Sequence, residues 1–154
     1  ADANEGWTPE NLPELMREAA RVHIAMIEQP LPAGQDEILA SMPHPVPICA
    51  DESAHVASDL EKLGDRYDAI NIKLDKSGGL TEALRMRDRA RDLGFGVMVG
   101  CMVAGSLSMA PAVLLGTLAD AVDLDGPLWL AEDIADGLRY EDGKVYPPAP
   151  ALWG

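Results

Sequence analysis

Short apolar runs, all but one of them ending at or just before a charged residue, recur along this chain roughly every 24 residues, and no other feature narrows its fold as far. The runs span Val22–Ile27, Pro47–Ala50, Ala69–Lys73, Phe95–Val99 and Ala119–Asp123. They are apolar on both faces, as strands buried in a parallel sheet are. The segments between them carry helical spacing. From Gly79 to Gly94, Leu80, Ala83, Met86, Ala90 and Leu93 line one face, while Arg85, Arg89 and Asp92 face water. Gly94 supplies the C-terminal stop. The segment Thr8–Arg21 turns Leu12, Leu15, Met16 and Ala19 inward, with Pro13 moving its start toward Asn11. A further helix is expected to open at Ser106 or Ser108 and to hold Leu107, Ala110, Leu114 and Leu118. His55 is expected to open the helix after the second run, and His23 to pack inside the first.

Strand alternating with helix in this way reads as successive βα units around a parallel sheet. The strand ends choose between the two folds that share this pattern. Asp2, Glu28, Asp51, Lys73 and Asp123 follow one another at intervals of 26, 23, 22 and 50 residues, the last being two units. Barrel enzymes build their sites from the C-terminal ends of many strands, whereas a doubly wound sheet concentrates chemistry at one switch point. A TIM-type (β/α)7β barrel is the better fit. A closed barrel has eight strands in roughly 250 residues, and the 154 residues here hold five strands and the end of one before Asp2. The expected arrangement is therefore a C-terminal portion running from the end of strand 3 to strand 8. Residues 1–127 form the partial barrel and 128–154 a tail.

Charge limits the partners. With 26 acidic against 12 basic residues and a net charge of −14, the chain is poorly suited to nucleic acid or an anionic membrane surface. It has no run of 18 apolar residues and no charged-then-apolar leader, and Cys49 and Cys101 lie in apolar stretches as small core residues. A cytoplasmic location is the corresponding expectation. Cations are the natural counterpart of the acids. Asp2, Glu28 and Asp51 on three consecutive strands would gather carboxylate oxygens without histidine or thiolate, a donor set suited to Mg2+. Lys73, on the next strand, would act as a proton acceptor with its pKa lowered beside that cation, or would form a salt bridge to Asp51 or Glu52. Lys76 is expected to be solvated or to cap the turn leading to Gly78. Gly94, Gly96, Gly100, Gly105 and Ser106 leave a phosphate cradle as a competing reading.

The stretches "DANEGW", "IEQPL", "ADES" and "INIKLDKSGGLTEAL", in this order, resemble the enolase superfamily in its muconate cycloisomerase-like subgroup. The resemblance implies a barrel whose third, fourth and fifth strands give the Mg2+ ligands, here Asp2, Glu28 and Asp51. Its sixth strand gives an acid/base lysine, here Lys73. The shared reaction is abstraction of a proton α to a carboxylate through an enediolate intermediate. "VDLDGPLWL" resembles the dipeptide epimerases, in which such an Asp-x-Asp pair binds the substrate's α-ammonium group. Asp123 and Asp125, two residues apart, would point to the same side of an extended segment, although Asp-Gly-Pro is also strong turn chemistry.

The implied function is Mg2+-dependent epimerisation of a dipeptide of the Ala-Glu type. An N-succinylamino acid racemase, an o-succinylbenzoate synthase-like enzyme, or an incomplete barrel with a binding or structural role are the alternatives. The subgroup's Lys-x-Lys motif on the second strand and its N-terminal capping domain have no counterpart in this sequence. The chain alone is thus expected to be inactive, to need that capping and barrel segment as partner, to lay its tail against the capping domain, and to be capable of homo-oligomerisation.

Overall fold

The computed structural model describes residues 1–153. Five strands form one all-parallel sheet in sequential order: β1 (Ile27–Glu28), β2 (Ile48–Ala50), β3 (Ala69–Lys73), β4 (Gly96–Gly100) and β5 (Ala121–Val122). An isolated parallel bridge from Asp2 to Glu28 extends the sheet beyond β1. This is a five-stranded half-barrel, in keeping with the strand-end spacing. Register fixes which ends are neighbours: Glu28 lies opposite Cys49, Ala50 opposite Ile70, Lys73 opposite Gly100 and Val99 opposite Val122.

Helices return the chain between strands. The first, α1 (Leu12–Arg21), has Asn11 at its N-cap, Pro13 in its first turn, and Leu12, Met16 and Ala19 buried. The four-residue α2 (Leu74–Ser77) follows β3 directly. Next, α3 (Leu80–Leu93) buries Ala83, Met86 and Ala90, and it ends at Gly94, whose φ of 85° suits a residue without a Cβ. The first of the β-like runs is much shorter than expected. Val22 to Met26 lie outside β1, and His23 is exposed with φ +60°, because α1 ends in a tight turn there rather than feeding a strand. The segment after Asp51 also departs from expectation, forming only a 3-10 turn over Ala57–Lys62. Val56 is its N-cap, and Asp59 accepts from the backbone of both His55 and Val56.

Helix α4 (Ser106–Gly116) buries Ser106, Met109, Ala110, Ala112, Val113 and Leu115. Leu107 and Leu114 are exposed on it, as is Leu118 just beyond its end. Apolar residues surround this helix, so spacing alone could not say which stripe turns inward. Its N-terminus is occupied: Asp133 accepts from the Ser106 backbone at 3.1 and 3.2 Å and from the Ser106 hydroxyl. That carboxylate fills the place a phosphate would need, and the phosphate reading falls with it. The tail forms a hairpin of β6 (Tyr140–Glu141) and β7 (Lys144–Val145), then the short α5 (Pro150–Trp153), which contacts α4. Tyr140 donates its hydroxyl to Leu124 O at 2.7 Å and so ties the tail to the segment after β5. Among the described residues no helix is long and apolar enough to cross a membrane.

Candidate active site

Three of the expected site residues meet at the C-terminal end of the sheet. Lys73 closes β3 and donates from Nζ to Asp51 Oδ2 at 2.6 Å, with Glu28 Oε1 at 3.8 Å. Glu28 and Asp51 are both buried, each just after or within the strand that carries it. Asp2 stands beside Glu28 through the Asp2–Glu28 bridge, where Asn4 donates to both of its carboxylate oxygens at 2.7 and 2.8 Å.

Electrostatics registers this crowding. Glu28 is pushed above the usual carboxylate range by burial and by the charges of Asp51 and Asp2, against the pull of an Asn71 hydrogen bond and of Lys73. Glu52, the next acid along the chain, is likewise raised by burial and by Asp51, Glu5 and Asp2, and its Oε2 is buried without a partner. A cluster of anions in this state calls for cations. Lysines supply them. Burial works against the Lys73 ammonium, but its bond to Asp51 and the charges of Asp51, Glu28 and Glu52 outweigh burial and hold it above its ordinary value. Lys76 departs from the solvated, turn-capping role expected of it. It is largely buried and donates to the Asp51 carboxylate, to Asp51 O at 2.5 Å and to Ala54 O at 3.2 Å, with burial pulling its pKa down.

The donors Asp2, Glu28 and Asp51 are all oxygens and suit a hard divalent ion. Their mutual repulsion is what such an ion would relieve. In the present side-chain arrangement no three carboxylate, histidine or cysteine groups among the described residues are grouped tightly enough to hold a metal. Asn4 on Asp2 and the two lysines on Asp51 take the contacts instead.

Asp123 and Asp125 lie on the neighbouring part of the rim. They do not form an extended segment: β5 stops at Val122, and Asp125 is the N-cap of a 3-10 turn over Gly126–Trp129, where Trp129 Nε1 donates to Asp125 Oδ2 at 2.8 Å. Asp-Gly-Pro imposes the turn it favours. The two carboxylates still sense each other, since Asp123 is raised by burial and by Asp125, with Lys73 opposing. A cleft of about 730 Å3 between the end of β5 and the tail hairpin is lined by both aspartates and by Val113, Leu128 and Tyr140, and the Lys73 cluster is outside it.

Cys49 is buried and its thiol is pushed well up by burial and by Glu28 and Asp51. Cys101 is only half-buried, against the expectation of a core residue.

Two residues that the sequence did not single out organise this end of the sheet. Gln29 is fully buried at φ +31° and accepts at Oε1 from the backbone of Asp51 (2.9 Å) and Ser53 (3.2 Å). Its Nε2 reaches Leu31 O, Ser53 Oγ and Tyr67 Oη at 2.9 to 3.0 Å. Tyr67, Ser53 and Arg66 in turn bind the buried Asp36. This network clips the end of β1 to that of β2 and so sets Glu28 against Asp51. Asn71, the second, donates to Glu28 Oε1 at 2.6 Å. Its position two residues before Lys73 on the same strand face was the one available signal.

Residues 1–151 match the family described as enolase C-terminal domain-like. An N-acetyl-D-glutamate racemase from Pseudoalteromonas is 48% identical over 99% of this chain and 49% of its own length. The L-Ala-D/L-Glu epimerase of Escherichia coli is 47% identical over 94% of the chain and 45% of its own. The chain thus spans less than half the length of these curated relatives. Among solved structures, an enolase family member from Agrobacterium tumefaciens with homology to dipeptide epimerases, bound to sodium and L-Ala-L-Glu, superposes with a TM-score of 0.98 at 60% identity. It is matched over 99% of this chain and 47% of that one. A dipeptide epimerase from Methylococcus capsulatus, complexed with Mg and L-Arg-D-Lys, gives a TM-score of 0.87 at 35% identity over 95% of this chain and 44% of that one.

Proposed function

Because the chain belongs to the enolase C-terminal domain-like family, we propose that it carries one face of the active site of a Mg2+-dependent epimerase acting on dipeptides of the Ala-Glu type. The observation that carries this reading is the convergence of Lys73 with Asp51 and Glu28 at consecutive strand ends, a base poised among carboxylates. Asp2, Glu28 and Asp51 would hold the metal, which when bound supplies positive charge to the substrate carboxylate beside the reacting carbon.

Lys73 exchanges the α proton at Nζ on one face of the substrate. It can accept that proton only when neutral, so the contacts with Asp51 and Glu28 that hold its own proton must loosen as the substrate seats. Inversion needs a second base on the opposite face. We assign it to the second-strand lysine pair typical of the subgroup, in a segment outside this chain.

Asp123 and Asp125 offer two carboxylates to the dipeptide's ammonium group. A second reading is favoured by one observation, the 48% identical N-acetyl-D-glutamate racemase. The two candidate substrates share an N-acylated glutamate, and the dipeptide adds to the acetyl group one methyl and the ammonium group. N-acetylglutamate would leave Asp123, already raised by burial and Asp125, without a cation. Free-amino dipeptides therefore fit better.

Deuterium wash-in at the α-carbon, followed by NMR with the full-length protein and Mg2+, tests the choice. Exchange of L-Ala-L-Glu well ahead of its N-acetylated counterpart supports the dipeptide reading. Comparable turnover of N-acetylated substrates moves the assignment to an N-acylamino acid racemase. Exchange of neither class ends the enzyme reading.

A further inference from the structure

Resting on that reading, we infer that Asn71 is a positioning residue for the carboxylate of Glu28, and that Gly100 is the residue that makes room for it. Asn71 is 1% exposed, and its Nδ2 donates to Glu28 Oε1 at 2.6 Å, a short bond of the charge-assisted kind. The other end of the same amide is buried with no partner at Oδ1. Buried amides ordinarily pair both ends. Here one end is left unpaired while the other is fixed on an anion, so the orientation of Asn71 is dictated by Glu28 and not by satisfaction of the sheet. Oε1 is thereby assigned to Asn71, with Lys73 3.8 Å from the same atom, and Oε2 is the oxygen left free of both contacts.

Gly100 supplies the second, independent observation. It lies on β4 opposite Lys73, and its backbone has no left-handed φ that would itself demand glycine. A Cβ at this position would instead stand 2.6 Å from Asn71 Nδ2 and 2.7 Å from Oδ1. Contacts that close force the amide aside. The glycine is therefore required by the amide it faces, and moving that amide releases Glu28.

Mg2+ affinity of the full-length protein, measured by isothermal titration calorimetry beside thermal unfolding, tests the pair without recourse to turnover. Asn71→Leu should weaken Mg2+ binding about 10- to 100-fold, the usual cost of losing a partner that orients a ligand. Gly100→Ala should weaken it in the same direction, but it should add little in an Asn71→Ala background, because the amide it displaces is already gone. If Asn71→Leu does not fold, the Asn71→Ala and Gly100→Ala cycle decides the same question. Unchanged Mg2+ affinity in the folded Asn71 variant, or additive losses around the cycle, overturns the inference. Wild-type protein that binds no Mg2+ overturns the functional reading with it; wild-type binding with unaffected variants overturns the inference alone.

Discussion

Tyr67→Phe removes a single hydroxyl from the network that sets Glu28 against Asp51. The Tyr67 hydroxyl donates to Asp36 Oδ2 at 2.5 Å and accepts from Gln29 Nε2 at 2.9 Å. The ring stays, so no cavity larger than the hydroxyl opens. Neither partner is orphaned: Asp36 keeps Arg66 at 2.5 Å and Ser53 at 2.8 Å, and Gln29 keeps Leu31 O and Ser53 Oγ. The main loss is the hydrogen bond to the charged Asp36, about 2 kcal/mol at pH 7, and the neutral contacts with Gln29 and Ser53 Oγ go with it.

The cost should also depend on pH in a defined direction. Burial alone would raise Asp36, but the hydroxyls of Tyr67 and Ser53 and the Arg66 guanidinium outweigh it and hold the carboxyl below its ordinary value. A depressed folded-state pKa contributes stability that is present above the unfolded value, about 3.9, and is lost as pH falls through the folded one. Tyr67 itself is pushed up by burial and by Asp36, so its hydroxyl remains protonated across this range. Urea unfolding of the full-length wild type and variant should give a lower midpoint at unchanged slope at pH 7. The difference should shrink toward about 1 kcal/mol, the value of a neutral bond, as Asp36 is protonated. A variant indistinguishable from wild type at pH 7, or a difference that does not shrink once acid has protonated Asp36, would refute the reasoning.

Asp123→Asn and Asp125→Asn should each lower kcat/KM for L-Ala-L-Glu about tenfold or more while affecting N-acetylglutamate much less, since a charge-assisted bond to the ammonium is what is lost; equal losses on both substrates, measured by α-deuterium exchange, would sink the ammonium role. Gly126→Ala should destabilise the protein by about 1–3 kcal/mol in urea unfolding, because its Cβ would lie 2.7 Å from Met102 O. Alkylation of the native protein at pH 8, read by mass spectrometry, should label half-buried Cys101 before Cys49, whose thiol is held protonated by burial and by Glu28 and Asp51; the reverse order would show that the end of β2 opens readily.

The rim was legible in the sequence because a parallel strand places its last residue at a fixed end of the sheet. Once the runs ending at Glu28, Lys73 and near Asp51 were read as strands, their neighbours followed. What could not be read was how the charges are compensated. Lys76 looked like a turn residue, yet one turn of helix after β3 brings it back onto Asp51. Gln29 and Asn71 are polar residues within or next to apolar runs; alternation puts Asn71 on the face of Lys73, but it does not name the partners that each bonds 22 to 43 positions away. The inward stripe of α4 was hidden for the opposite reason, an apolar excess on every side. Asp125 sat between two local preferences, and the Gly126-Pro127 turn prevailed over extension.

Lys73→Ala bears most directly on the claim that this chain supplies one proton-transfer face. In deuterated water with Mg2+, the full-length variant should turn over the dipeptide about 10^2- to 10^4-fold more slowly. The loss should be one-sided: α-deuterium exchange should persist from only one of the two epimers, because the opposite base is untouched. Equal exchange from both epimers at wild-type rates would contradict the account.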